Sequence, residues 1–305
     1  MRLLVTDYHS LGDTVENTIA LKHLHDSHPD IRIGVDMFAQ ELFDNMSWID
    51  RSVTKGNCDK VVPISMDAIH QSNQNGLHVV RAIEMDLERA LNLRIEPGEL
   101  RAPICLTSEE INCERWLAEH GIPTDGYWIV DAGGKPDFTT KHYPHAWFQR
   151  IIDATPEITW VQIGMSEHCH KRLTGANVVD MLDRTARIRD LLKLFHRAAG
   201  VLTPISAPLH LATMPWHGHD RQYRPCVVLH GGREPVSFTQ YPNQMHLHSL
   251  GMLNCCSKGG CWCNRVTDGE KQCRHPMCIN GQWIGKCMSF IEPDMVAKIC
   301  KMYNK

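Results

Sequence analysis

Residues 1–25 read MRLLVTDYHSLGDTVENTIALKHLH, and this stretch decides the fold. Leu3-Leu4-Val5 is a short apolar run of the kind that forms a buried strand. Ser10-Leu11-Gly12-Asp13 is a tight glycine-containing turn. From about residue 14 to residue 25, Val15, Ile19 and Leu24 recur at helical spacing on one face. Strand, turn and helix then repeat. Residues 31–35 and 60–64 read as strands, 39–46 as a helix, and 77–92 as a helix carrying Val80, Ile83, Leu87 and Leu91 on one side. Strands alternating with helices predict a parallel sheet covered by helices, because parallel strands need a crossover long enough to hold a helix.

A second unit begins after Gly121-Ile122-Pro123-Thr124-Asp125-Gly126, a turn-rich segment between the helical stretch 108–119 and the apolar Tyr127-Trp128-Ile129-Val130. The alternation resumes beyond it. Helices are expected over 144–154 (with Pro144 in the first turn), 187–198 and 207–213, and strands over 159–163, 200–203 and 226–230. The expected architecture is α/β, with two doubly wound, Rossmann-like domains, 1–124 and 125–305, closed by a helix over 293–303. Two such domains facing one another form a cleft outside the carboxyl ends of their strands, where loops and helix N-termini converge on a ligand.

The composition fits this plan. A chain of 305 residues, 43% apolar and 22% charged, is long enough for two cores. A formal net charge of −3 gives no general attraction to nucleic acid or acidic lipid, although a local basic cleft is compatible with it. Asp7 follows only three consecutive apolar residues, so the start does not read as a secretory signal, and no stretch reaches the roughly 18 apolar residues of a membrane span. A cytoplasmic protein is expected. Seven of the 13 cysteines, Cys255, Cys256, Cys261, Cys263, Cys273, Cys278 and Cys287, fall in one C-terminal module, 255–287. In a reducing compartment such clustering favours a metal over disulfides.

The chemistry-bearing residues gather at the turns. Gly12 lets a ligand approach the backbone, and Asp13 presents a carboxylate at a helix start, where it also suits the helix dipole. Here the chain resembles the heptosyltransferase-like glycosyltransferases, whose first strand and turn run "ILV-x-(4)-SLGD". The likeness continues in Pro29-Asp30-Ile31, in Asp131-Ala132-Gly133-Gly134-Lys135, and in Thr139-Thr140-Lys141-His142-Tyr143-Pro144, which is similar to the family's glycine loop and "K-x-[WY]-P". It is most specific in Thr203-Pro204-Ile205-Ser206-Ala207-Pro208-Leu209-His210-Leu211-Ala212, which resembles "D-[ST]-G-x-x-H-L-A". Two positions depart from that pattern: Ile205 stands where an acid is expected, and Ala207 where glycine is. Cys226-Val227-Val228 through Gly231-Gly232-Arg233-Glu234 is similar to the family's next strand and loop.

The resemblance implies a GT-B arrangement and transfer of a sugar from a nucleotide-diphosphate donor, an ADP-sugar being favoured, to a saccharide hydroxyl. It makes Asp13 the base and Lys141 the residue that holds the departing phosphates. Gly12, Gly133, Thr139, Thr140, Gly164, Ser206, Ala207 and His210 become donor contacts. A lysine near a helix N-terminus suits a diphosphate as charge develops on it. No metal is expected in the chemistry. In the cysteine module a structural zinc is expected on Cys256, Cys261, Cys273 and Cys287, with Cys255, Cys263 and Cys278 as competitors. Iron stays open, because relatives in the wider family carry cysteine-ligated iron in a comparable place. Two other readings remain: a phage-type transferase acting on a modified DNA base, with Lys258, Arg265, Lys271 and Arg274 touching the nucleic acid, and a catalytically silent nucleotide-sugar-binding protein.

Overall fold

Strand β1 (Arg2–Asp7) is the centre of the first sheet, with Leu3 and Val5 fully buried. In the computed structural model, which describes residues 1–65, 76–185, 187–217, 223–269 and 271–304, β1 lies between β2 (Arg32–Met37) and β3 (Lys60–Pro63). Both neighbours are parallel, with Leu3 opposite Ile33 on one side and Lys60 on the other. Helix α1 (Leu11–Ser27) connects β1 to β2, and α2 (Val79–Leu91) packs beside it. Helix α1 does not have the one-sided apolar face that its sequence suggests. Thr14, Glu16, Asn17, Thr18 and His23 are buried along with Val15, Ile19 and Leu24, because α1 is enclosed by α2 and by the second half of the chain. Several of its buried polar groups are paired, Asn17 donating to Asp7 (2.5 Å) and His23 meeting Glu84 (2.6 Å), while Glu16 Oε2 and Asn17 Oδ1 have no partner among the described residues.

The expected helix at 39–46 is a short 3₁₀ turn, Gln40–Phe43, and the stretch 108–119 forms two short helices, Ser108–Ile111 and Glu114–Glu119. This segment is strapped to the second half of the chain. Arg189 donates to Glu110 (2.7 Å), Arg197 donates to Glu114 and the Ile111 carbonyl, and the Ala102 amide donates to Thr213 (3.1 Å).

The second sheet is built from β4 (Trp128–Asp131), β5 (Trp160–Ile163), β6 (Val178–Asp180), β7 (Gly200–Pro204), β8 (Cys226–Gly231) and β9 (Gln244–His248). All are parallel in the order β6-β5-β4-β7-β8-β9. Counted from β4 this is 3-2-1-4-5-6, the doubly wound order, whose switch point falls between β4 and β7. Helices α3 (His145–Asp153), α4 (Ile188–Arg197) and α5 (Ala207–Leu211) follow the sequence reading, and the terminal α6 (Pro293–Tyr303) packs on α3. Between β9 and α6 the cysteine module holds a small antiparallel hairpin, β10 (Pro276–Ile279) with β11 (Gln282–Gly285). Strands β6, β9, β10 and β11 were not expected.

Two apolar clusters fill the molecule. One covers the outer face of the second sheet, with Trp128, Phe148, Trp160 and Met288. The other runs without interruption from Leu3, Ile19 and Ile33 of the first half to Ile129, Leu192, Val201 and Leu209 of the second. No helix among the described residues is long and apolar enough to cross a membrane.

Candidate active site

The carboxyl ends of β1, β4, β7 and β8 open on a cavity of about 740 Å³. Ser10, Gly12, Asp13 and Glu16 line it from the first half, and Lys141, Ser206, Ala207, His210 and Glu234 from the second. Asp13 stands in the first turn of α1. The hydroxyl of Ser10, the residue before that helix, leaves the backbone uncapped and donates to the Asp13 carboxylate. Burial pushes the pKa of Asp13 up, with Ser10 acting against the rise. A carboxylate made more basic in this way is suited to accept a proton.

Across the cavity, Lys141 Nζ is 3.7 Å from Glu234, which Arg233 also binds at 2.5 Å. Burial pushes Glu234 up, yet Lys141 and Arg233 outweigh it and hold the carboxyl at about 2. Lys141 is pushed down by burial against the pull of Glu234. The two cations also face aromatic rings, Lys141 over Phe138 at 5.4 Å and Arg233 over Trp262 at 5.5 Å. His210 is driven down to about 3 by burial and by Lys141, so its ring is neutral. Its Nε2 is 3.2 Å from Glu16 and its Nδ1 2.9 Å from the Tyr241 hydroxyl.

The loop before α5 and the start of that helix carry the two residues that depart from the resembled pattern. Ile205 is 3% exposed and packs into the apolar cluster shared by both halves. The neighbouring strand brings an acid to this loop: Asp131, at the end of β4, accepts from Ser206 (2.5 Å) and Thr203 (3.2 Å) and meets His170 at 3.5 Å. Ser206 is thus held at the switch point by a carboxylate that the loop itself lacks.

Other expected donor contacts are placed differently. Gly133 and Gly164 face the His170 ring, where an added Cβ would lie 2.5 Å and 2.2 Å from it. Thr140 donates to the Cys263 (2.6 Å) and Asn264 (3.0 Å) carbonyls, and Thr139 accepts from the Val266 amide (2.9 Å). These threonines fasten the cysteine module to the body and do not line the cavity. The same junction includes Gly260, where a Cβ would come within 2.3 Å of the Arg233 carbonyl and the Glu234 Cα. Through it the module supplies Trp262, Asn264, Lys271 and Arg274 to the cavity wall, while Lys258 and Arg265 lie outside the lining.

All 13 cysteines are free thiols. In the module, Cys287 is raised to about 12, first by burial and then by Cys261, Cys273 and Cys256, the set expected from the sequence. Two glycines leave space between these thiols: a Cβ on Gly232 would sit 3.1 Å from Cys256 Sγ, and one on Gly285 would sit 3.3 Å from Cys287 Sγ and 3.7 Å from Cys273 Sγ. The donor set and the glycine cradle suit a thiolate-seeking cation. The expected closed metal site is nevertheless not formed: among the described residues, no three Cys, His, Asp or Glu side chains are grouped closely enough to hold an ion. Cys278 is exposed on the hairpin. The thiols come from two 3₁₀ turns and a loop, and burial raises the pKa of Cys273 and Cys287, which keeps these two as neutral thiols with no charge to draw them toward a common centre.

The sequence does not single out Glu16, Asp131 or Tyr241 as site residues, and it places Arg233 and Glu234 only within a strand-and-loop likeness. Glu16 carried a signal, since it lies three residues after Asp13 and therefore on the same helix face. Tyr241 carried none, because the chain between α5 and residue 241 brings it back only through the tertiary fold.

The architecture defined by these two sheets and the cavity between them is the GT-B glycosyltransferase fold, and solved structures share it. A glycosyl transferase family 9 protein from Veillonella parvula superposes with a TM-score of 0.63 at 14% identity, over 99% of this chain and 97% of that one. ADP-heptose lipopolysaccharide heptosyltransferase II of E. coli gives 0.60 at 11%, over 100% and 98%. The iron-containing dodecameric glycosyltransferase TibC of enterotoxigenic E. coli gives 0.61 at 14%, over 99% of this chain and 78% of that one, and has also been solved with ADP-D-beta-D-heptose. No protein-family profile and no curated relative matches the sequence.

Proposed function

We propose that the chain is a glycosyltransferase that moves a heptose-like sugar from a nucleotide-diphosphate donor, an ADP-sugar by preference, to a hydroxyl of a saccharide acceptor. The half 1–124 presents the acceptor and the half 125–305 binds the donor. The acceptor oxygen attacks the anomeric carbon, the bond from that carbon to the diphosphate breaks, and the acceptor proton passes to Asp13. Lys141 opposes the charge developing on the departing diphosphate, and Ser206 and His210 hold the nucleotide side. The observation that carries this reading is one cavity in which a basic carboxylate from the first half faces a cation from the second. ADP-heptose bound to a structure of the same fold supports the choice of donor.

The reading is tested by calorimetry and thermal melting with ADP-sugars, other nucleotide sugars and ADP alone. A donor present at 100 times its dissociation constant should stabilise the fold by about 2.7 kcal/mol. Absence of binding by every nucleotide sugar, or binding with no transfer to any saccharide, counts against it.

For the cysteine module we propose a structural zinc or iron held by Cys256, Cys261, Cys273 and Cys287, which the iron-containing relative and the glycine cradle support. Protein purified without chelator should carry about one equivalent of metal, and removing it should loosen residues 255–287 to proteolysis. Metal below about a tenth of an equivalent rules the site out.

A further inference from the structure

Glu16 has no role in the reaction as described, yet it is among the most constrained side chains of the cavity. It is 4% exposed and one turn beyond Asp13 on α1, in the first half of the molecule. Oε1 reaches across to His210 Nε2 on α5 of the second half (3.2 Å), and Oε2 has no hydrogen-bond partner among the described residues. Behind the ring, His210 Nδ1 is fixed by the Tyr241 hydroxyl at 2.9 Å. The result is a buried row from Glu16 through His210 to Tyr241 that joins the two halves beside the place where the proposed donor sits. The charged groups acting on Glu16 are Asp13 from its own helix, Glu234 from the loop after β8, Asp7 from β1 and Lys141. Three are acids, and the lysine is already taken up by Glu234. A carboxylate there is penalised by burial and by its neighbours.

We propose that Glu16 is a positioning residue for His210, an uncharged carboxyl that shares one proton with Nε2 and so fixes the tautomer and orientation of the histidine from the opposite half of the cleft. This rests on the donor-site reading for its consequence, though not for its geometry. When Glu16 donates to Nε2, Nδ1 carries the hydrogen given to Tyr241, and a single tautomer is selected. Burial, Asp13 and Glu234 raise the Glu16 pKa well above the ordinary carboxyl range. As the pH rises through that raised value, a negative charge appears beside the diphosphate. Donor affinity is therefore full below it and falls above it.

The experiment follows the His210 ring nitrogens by ¹⁵N NMR in the ligand-free protein, assigned with His210→Gln, and measures ADP affinity by calorimetry from neutral to alkaline pH, for wild type, Glu16→Gln and Glu16→Ala. Wild type should show one tautomer and Glu16→Ala a mixture, with ADP bound about tenfold more weakly by Glu16→Ala, the size expected when one buried hydrogen bond is lost. Glu16→Gln should retain neutral-pH affinity within about threefold, since its amide restores the contact, and should lose less affinity than wild type on the alkaline side. Glu16 is also one of the charges acting on Lys141, so the His210 nitrogen shifts, which change tautomer when Glu16 ionises, are recorded over the same pH series to report Glu16 apart from the lysine. An unchanged His210 spectrum in a folded Glu16→Ala protein overturns the inference, as does a Glu16→Gln profile identical to wild type. A His210 spectrum that responds while no protein binds ADP upholds the positioning role and refutes the donor reading.

Discussion

Asp13→Asn is expected to bind the ADP-sugar within about threefold of wild type and to lose about 10²–10⁴-fold in transfer rate, the range a positioned general base supplies. The asparagine keeps the shape and still accepts from Ser10, so the donor half is undisturbed. What disappears is the site to which the acceptor proton moves. The pH dependence has a definite sign. Burial raises the pKa of Asp13, so the base is protonated and transfer fails as the pH falls through a value above the ordinary aspartate range. The same shift has the opposite effect on folding. A carboxyl whose folded pKa is raised costs stability once the pH exceeds its unfolded value, and that cost is complete above the folded one. Asp13→Asn should accordingly melt higher than wild type at neutral pH. A variant that transfers at the wild-type rate, or that melts lower while losing donor binding, removes Asp13 from the role of base.

Lys141→Met carries the second large effect, an expected fall of about 10²–10³-fold in kcat, comparable to removal of one preorganised electrostatic contact to a developing anion. The Lys141 side chain is 24% exposed toward the cavity, and its partner Glu234 is 2% exposed. Breaking a buried pair ordinarily costs about 3–5 kcal/mol because the surviving charge is stranded. Here the loss of stability should be smaller, since Arg233 still binds Glu234 at 2.5 Å. Glu234→Gln should lower the melting temperature more than Lys141→Met does, because it strands Arg233 as well as Lys141, and that ordering separates the structural role from the chemical one. Burial lowers the Lys141 pKa, so wild-type activity declines on the alkaline side at a pH below the usual lysine range. Wild-type kcat in Lys141→Met sinks the assignment.

The sequence made some of this legible and withheld the rest for physical reasons. Leu3-Leu4-Val5, the turn at Gly12 and the apolar spacing of 14–25 announce a strand, a turn and a helix, and the second half repeats the pattern strongly enough to place four of its six parallel strands. Strands β6 and β9 escape because Val178–Asp180 is very short and Gln244–His248 alternates polar and apolar residues at a sheet edge. Glu16 and His23 look like the wet side of α1, and only the enclosure of that helix buries them. Thr139 and Thr140 sit beside Lys141 in the chain and look like ligand contacts, while their hydroxyls are engaged by a module more than a hundred residues away. Ile205 reads as a lost acid until the fold brings Asp131 from another strand to Ser206.

The apolar cluster common to both sheets restricts how a substrate reaches this chamber. Swinging the halves apart would wet side chains such as Leu3, Ile129 and Leu209 together, at about 25 cal/mol for each Å² uncovered. The stretch 261–266 of the cavity wall is fastened to the body by hydrogen bonds to Thr139, Thr140, Gly232 and Arg233. The shared core therefore holds the two halves closed in the resting molecule, and the module's bonds close the chamber on its remaining side.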